Sequence, residues 1–153
     1  MPKTFVIRHT KENRKKCSLT PLEERADFEF FTYPQCRGQL SDLTGAILLD
    51  FDGPELSQED CDCKGIVVLD GTWRYAKNMR QHLPGLQSCS VRRIPSGFVT
   101  AYPRKQTECL EPEAGLASIE AIYIAYTLLG WDPKGLLDSY YWKESFMIKN
   151  HFK

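Results

Sequence analysis

Short apolar runs alternate along this chain with longer stretches of helical spacing. The runs are Thr4–Ile7, Phe28–Tyr33, Gly45–Asp50 and Ile66–Leu69, with a rougher alternation from Ser88 to Arg92. Their length and their β-branched and aromatic content predict strands. Ile66–Leu69 is apolar at every position, as in a strand buried on both faces. Helical spacing covers Trp73 to about Gln81, Leu116 to Gly130, and Pro133 to Lys153. The second of these is nearly all apolar, so it is expected to be buried, with Gly130 as its terminator. Its lone carboxylate, Glu120, then needs a partner, a backbone group or an arginine. Thr20-Pro21 predicts a short helix with Thr20 as N-cap and Pro21 at N1. Ser57 and Asp60 have the spacing of a capping box. Strands alternating with helices predict one α/β domain over residues 1–153, with a largely parallel sheet and helices on both faces.

The stretch Gly65–Arg80 carries the first chemistry. A buried strand ends in Asp70-Gly71-Thr72-Trp73, and a helix begins there. In open α/β sheets, ligands bind at the carboxyl ends of strands. The glycine permits close backbone approach, and the helix start offers free N–H groups. The structural alternative is that Asp70 or Thr72 only caps the helix and Trp73 only packs.

Charge narrows the picture. Twenty Lys and Arg balance twenty Asp and Glu over 153 residues. A polyanion would therefore have to meet a local patch. One dense basic run, with Arg8, Lys11, Arg14, Lys15 and Lys16, follows the first strand. A second basic surface, with an aromatic residue, is expected from Arg92-Arg93 and from Tyr102, Arg104 and Lys105. The six cysteines form no CxxC pair, and Cys61-Asp62-Cys63 has no second close pair, so the zinc signal is weak and no metal is expected. No apolar run is long enough for a bilayer and no signal peptide is evident, so a cytoplasmic location is the default expectation. There is no P-loop, GxGxxG, HExxH or GxSxG. What remains fits a ligand pocket beside a surface for anions, and RNA or a phosphorylated metabolite would both satisfy it.

Four segments together resemble one family. Asp70-Gly71-Thr72-Trp73 is similar to the Asp-Thr-Trp signature of DTW-domain proteins, with one glycine added. Asn13-Arg14-Lys15-Lys16-Cys17-Ser18 resembles the Asp-Pro-Lys-Lys-Cys-Thr segment of the related small-subunit ribosomal RNA enzymes. Leu56-Ser57-Gln58-Glu59-Asp60 is similar to their Leu-Ser-Pro-x-Asp. Leu116-Ala117-Ser118-Ile119-Glu120-Ala121 resembles a Leu-Ser-Thr/Cys-x-Glu-Ala segment of both branches. All four occur in the family's order. The cysteine-rich zinc segment at the start of many tRNA-acting members is missing, and Asn13-Arg14 replaces Asp-Pro.

The resemblance implies S-adenosylmethionine as co-substrate and structured RNA, tRNA or small-subunit rRNA, as partner, with no DNA or membrane. The implied reaction moves the 3-amino-3-carboxypropyl group to N3 of a uridine or pseudouridine. The implied fold is SPOUT-like and trefoil-knotted in the C-terminal half, so residues 65–153 would form the cofactor part and residues 1–64 would carry the basic segment. Among site residues, Asp70 is the implied general base and Trp73 packs near the sulfonium and methyl. Ser18 bonds the ribose, and the backbone around Leu49, Leu69 and Leu116 holds adenine, with Gly71 and Ala117 beside it. Ser118, at a helix start, takes the cofactor carboxylate. Lys15, Lys16, Arg104 and Lys105 contact RNA phosphates. A SPOUT-type RNA methyltransferase, a non-catalytic RNA-binding domain and a metal protein using Cys61 and Cys63 are the alternatives.

Overall fold

The computed structural model describes residues 2–11, 17–38, 40, 42–103 and 115–152. Five strands form one sheet: β1 Lys3–His9, β2 Phe28–Tyr33, β3 Ile47–Leu49, β4 Gly65–Asp70 and β5 Ser90–Arg92. Their order is β2-β1-β4-β3-β5, and every pairing is parallel. Three α-helices are described, α1 Trp73–His82, α2 Ser118–Leu129 and α3 Lys143–Lys149.

Side-chain alternation sorts the core into two layers. Val6, Ile47, Ile66 and Val68 face α2 and α3, packing with Ile119, Ile122, Ala125 and Phe146. Phe5, Ile7, Leu48 and Val67 face the other way, onto Met79 of α1 and onto Leu83 and Leu86 beyond it. Successive strand residues point to opposite faces, so an uninterrupted apolar run is what a covered sheet requires. The expected parallel α/β sheet with helices on both faces is therefore present.

Local signals behave largely as the sequence predicts. Ser57 and Asp60 form the capping box, now on a single 3-10 turn. α2 ends in a Schellman motif: Gly130 adopts φ 77°, its N–H reaches Thr127 O, and the Trp131 N–H reaches Tyr126 O at 2.9 Å. The Trp131 ring then packs edge-on against Tyr126, closing the motif with an apolar contact.

Three expectations are corrected. Leu19, not Thr20, takes the N-cap position of the 3-10 turn Thr20–Glu24. The last helix spans only Lys143–Lys149 rather than Pro133–Lys153, because Gly135 turns with φ 86° and Leu136 and Leu137 are buried in turns. β1 runs two residues past the expected Ile7, so Arg8 and His9 are strand residues and both are buried.

The order of strands matters for the site. From β1 the chain leaves toward β2 at one edge, and from β4 it leaves through α1 toward β5 at the other. The carboxyl ends of β1 and β4 thus flank a topological switch point, where open α/β sheets bind ligands.

Candidate active site

Parallel register sets Arg8 of β1 beside Asp70, the last residue of β4. Asp70 is 7% exposed. Its Oδ1 accepts a hydrogen bond from Ser118 Oγ at 3.0 Å. Its Oδ2 accepts from Cys17 Sγ at 3.2 Å and from Arg8 Nε at 3.4 Å. Arg8 also donates from Nη1 to Glu23 at 3.0 Å, and its guanidinium lies 5.1 Å from the centroid of the Phe30 ring. Arg8, expected in an exposed basic run, is therefore an interior ion-pair residue. A buried guanidinium requires carboxylate partners, and the register supplies Asp70 while the 3-10 turn supplies Glu23.

Burial, followed by the nearby Asp70 charge, pushes the Cys17 thiol up to about 11. The neutral thiol is then the donor to Asp70. A raised thiol pKa stabilises the fold fully below the ordinary value of 9.0, and this contribution is lost as pH rises through about 11. At pH 8, maleimide should label exposed Cys61 in the folded protein and leave Cys17 unlabelled, as read by peptide mass spectrometry. Rapid labelling of Cys17 at that pH would contradict the half-buried, neutral thiol.

Behind β4, the chain turns through Gly71. A Cβ at Gly71 would lie 3.2 Å from Tyr75 Cβ and 3.4 Å from His9 Cβ. Those two residues stack, ring centroids 4.0 Å apart and 10° from parallel. Burial, with Lys11 nearby, lowers the His9 pKa, and its Nδ1 accepts from the Lys11 N–H at 3.1 Å. Gly71→Ala should cost about 1–2 kcal/mol by overpacking. Thermal unfolding measures this, and an unchanged midpoint would mean that the stack yields freely. Thr72 is the N-cap of α1, its Oγ1 accepting from the Tyr75 N–H, so the structural alternative holds for Thr72.

A cavity of about 320 Å³ opens beside the Asp70 cluster. It is bounded by the carboxyl ends of β3 and β4 and the starts of α1 and α2. Six expected residues line it: Leu49, Leu69, Gly71, Trp73, Leu116 and Ser118. Asp70 is not in its wall but directly behind Ser118. Ser18 and Ala117 are not in the wall either; Ala117 is buried, and its N–H is bound to Glu120. Lys15, Lys16, Arg104 and Lys105 lie outside the described residues. Sequence reasoning missed Asp50 and Phe51, and the wall built by Arg93, Ile94, Pro95 and Ser96. Asp50-Phe51 follows a strand end, so the rule that singled out Asp70 also points there. Nothing local marks Ile94-Pro95, which arrives from the far edge of the sheet.

Glu120 holds this far wall in place. It is fully buried and accepts four hydrogen bonds. Oε1 receives Ala117 N–H at 2.8 Å and Thr100 Oγ1–H at 2.6 Å. Oε2 receives Ala101 N–H at 2.9 Å and Tyr140 O–H at 3.0 Å. The two backbone partners are of a kind expected, whereas the Thr100 and Tyr140 hydroxyls take the place of the alternative arginine. They bind the segment after Ser96 to the start of α2, which carries Ser118.

The fold is shared with Tsr3. The solved structure of this SAM-dependent rRNA:acp-transferase from Vulcanisaeta distributa matches with a TM-score of 0.74. The match covers 98% of this chain and 79% of that one, at 22% sequence identity. At that identity the likeness establishes the five-stranded parallel α/β fold. No family model matches the chain, and no curated protein matches it. Among the described residues, no helix is long and apolar enough to cross a membrane. Nor does any group of three or more His, Cys, Asp or Glu among them have the arrangement to hold a metal ion.

Proposed function

We propose that this chain is an S-adenosylmethionine-dependent transferase that modifies structured RNA, adding the 3-amino-3-carboxypropyl group to N3 of a uridine or pseudouridine in rRNA or tRNA. One observation carries the reading: a largely apolar cavity with Trp73 and Ser118 in its wall and a buried carboxylate directly behind Ser118, on the fold of an rRNA acp-transferase. The SPOUT-like class and the C-terminal knot belong to the same proposal.

The residues fit the co-substrate. A cavity of about 320 Å³ is in the range of small-molecule sites. Leu49, Leu69 and Leu116 offer apolar surface and backbone groups to adenine, and Gly71 leaves room for close approach. Ser18 keeps its assignment to the ribose although it is not in the cavity wall, and buried Ala117 is left to hold the start of α2. Trp73 presents an aromatic face, which favours a cationic sulfur. S-adenosylmethionine would supply an alkyl group made electrophilic by its sulfonium. Ser118 has a single hydroxyl proton, and Asp70 Oδ1 takes it. Binding of the amino-acid carboxylate therefore falls to backbone N–H groups at the start of α2. Asp70, kept in place by Arg8, Cys17 and Ser118, is the acceptor for the N3 proton, with Ser118 as the link to the cavity. Lys15, Lys16, Arg104 and Lys105 are assigned to RNA phosphates.

The test is mass spectrometry of nucleosides from tRNA and rRNA of cells with and without the gene. Loss of an aminocarboxypropylated uridine or pseudouridine is the expected result, and the RNA fraction identifies the substrate. Loss of a methylated nucleoside instead would replace this reading with a methyltransferase. No change in either fraction would overturn it.

A further inference from the structure

The outer face of α1 has an unusual distribution of charge. Its ten residues include Arg74, Lys77, Arg80 and His82 and no carboxylate. Arg80 is neutralised, with Nη1 2.7 Å from both Asp50 and Asp52. Arg74 and Lys77 are exposed, and neither has a carboxylate partner among the described residues. Elsewhere, Lys3, Arg25, Arg92, Arg93 and Lys143 each lie within salt-bridge distance of an Asp or Glu, while Arg37, Lys64, Lys134 and Lys149 have no carboxylate partner among the described residues. What distinguishes Arg74 and Lys77 is their place, on a helix without a carboxylate and next to the cavity.

Position within the helix matters too. Arg74 is the second residue of α1, and Lys77 is one turn further on. The amino end of a helix carries partial positive charge and favours Asp or Glu, so cations here work against helix stability. Local choices that oppose the fold without compensation mark functional surfaces. A third cation joins them. His9 stacks on Tyr75 of α1, and Lys11 lies two residues beyond His9 at the same end of the sheet. Like the other two, exposed Lys11 has no carboxylate partner among the described residues. The face is continuous with the cavity: Lys77 Nζ sits 5.4 Å from the centroid of the Trp73 ring, and Trp73 lines the cavity wall.

We propose that Lys11, Arg74 and Lys77 form a phosphate-tracking face that delivers an RNA strand to the cavity mouth at Trp73. This rests on the reading of the protein as an RNA-modifying enzyme and adds to it the surface that docks the RNA. Three exposed cations at the surface suit contact with backbone phosphates, which fixes position and carries no sequence information.

The test compares the full-length protein with the triple variant Lys11→Gln, Arg74→Gln, Lys77→Gln, and with Arg74→Glu alone. The probe is a fluorescently labelled RNA hairpin, titrated by anisotropy across a salt series. Each lost phosphate contact should reduce the slope of log K against log salt by about 0.7–0.9. The triple variant should therefore lose about 2–3 units of slope and bind about a hundredfold more weakly near 0.1 M salt. Arg74→Glu should weaken binding while keeping or raising the melting temperature, because Glu suits that end of the helix. That opposite movement separates loss of the face from loss of the fold. If the wild type binds with a clear salt slope and the triple variant matches it, this face is not the docking surface. If the wild type binds the RNA at no salt concentration, the functional reading itself fails.

Discussion

Asp70→Asn is expected to reduce turnover by about 10²–10⁴-fold, the usual worth of a positioned acid or base. Asparagine keeps the shape but can neither accept the proton nor neutralise Arg8. RNA affinity should be unchanged, because Asp70 is 7% exposed and belongs to no phosphate contact. The substitution also leaves Arg8 with Glu23 as its remaining carboxylate among the described partners, so some stability is lost with the activity. Ser118→Ala separates the two effects. It leaves the Arg8–Asp70 pair intact and removes the hydroxyl that joins Asp70 to the cavity. A catalytic Asp70 predicts that both variants lose turnover, while only Asp70→Asn shifts the melting curve substantially. If turnover stays at wild-type levels in Asp70→Asn, Asp70 is an interior ion-pair residue and nothing more.

Glu120→Gln is expected to have the largest effect on stability. The carboxylate accepts from four donors in a site without solvent. An amide offers one oxygen and turns its NH2 toward groups that are themselves donors. Whichever oxygen is replaced, one backbone N–H (Ala117 or Ala101) faces the NH2 and is left unsatisfied at about 1–3 kcal/mol, and the hydroxyl beside it must turn to accept. With the four charge-assisted bonds also weakened, a loss of about 2–4 kcal/mol follows, or roughly 10 °C in melting temperature for a chain of this size. Differential scanning calorimetry measures it. The same change frees the segment after Ser96 from the start of α2, so co-substrate affinity should fall in parallel. A shift of only 1–2 °C would mean that the four donors find other partners, and Glu120 would not be what holds the two cavity walls together.

The difference between these two carboxylates follows from their surroundings. Glu120 is met by neutral donors alone among its described partners, and its position in the first turn of α2 also suits the helix dipole. Asp70 is met by a guanidinium, a thiol and a hydroxyl, of which only the hydroxyl reaches the cavity. One anion fastens a wall. The other has a hydrogen-bonded route to the cavity.

Several features were decided by the sequence alone. Uninterrupted apolar runs at Ile66–Leu69 and Ala46–Leu49 required strands covered on both faces, and the two core layers divide along them by simple alternation. The Ser57–Asp60 capping box and the Gly130 terminator are also local. Each depends on groups a few residues apart, so the chain specifies it before any tertiary contact forms. The strand-end rule likewise pointed to the turn after β4, where Gly71 and Trp73 line the cavity and Asp70 lies behind Ser118.

Other features depended on tertiary structure. Arg8 and Asp70 are 62 residues apart and meet only because β1 and β4 pair in a particular parallel register. Without that register Arg8 is one more charge in a basic run. The Ile94–Ser96 wall depends on β5 joining the far edge of the sheet, and the four donors around Glu120 come from three separate segments. The last helix is shorter than its spacing predicts because burial of Leu136 and Leu137 in turns outweighs local helical preference. Periodicity and capping act over one or two turns of chain, whereas charge burial and cavity walls are set by which distant segments the packed sheet brings together.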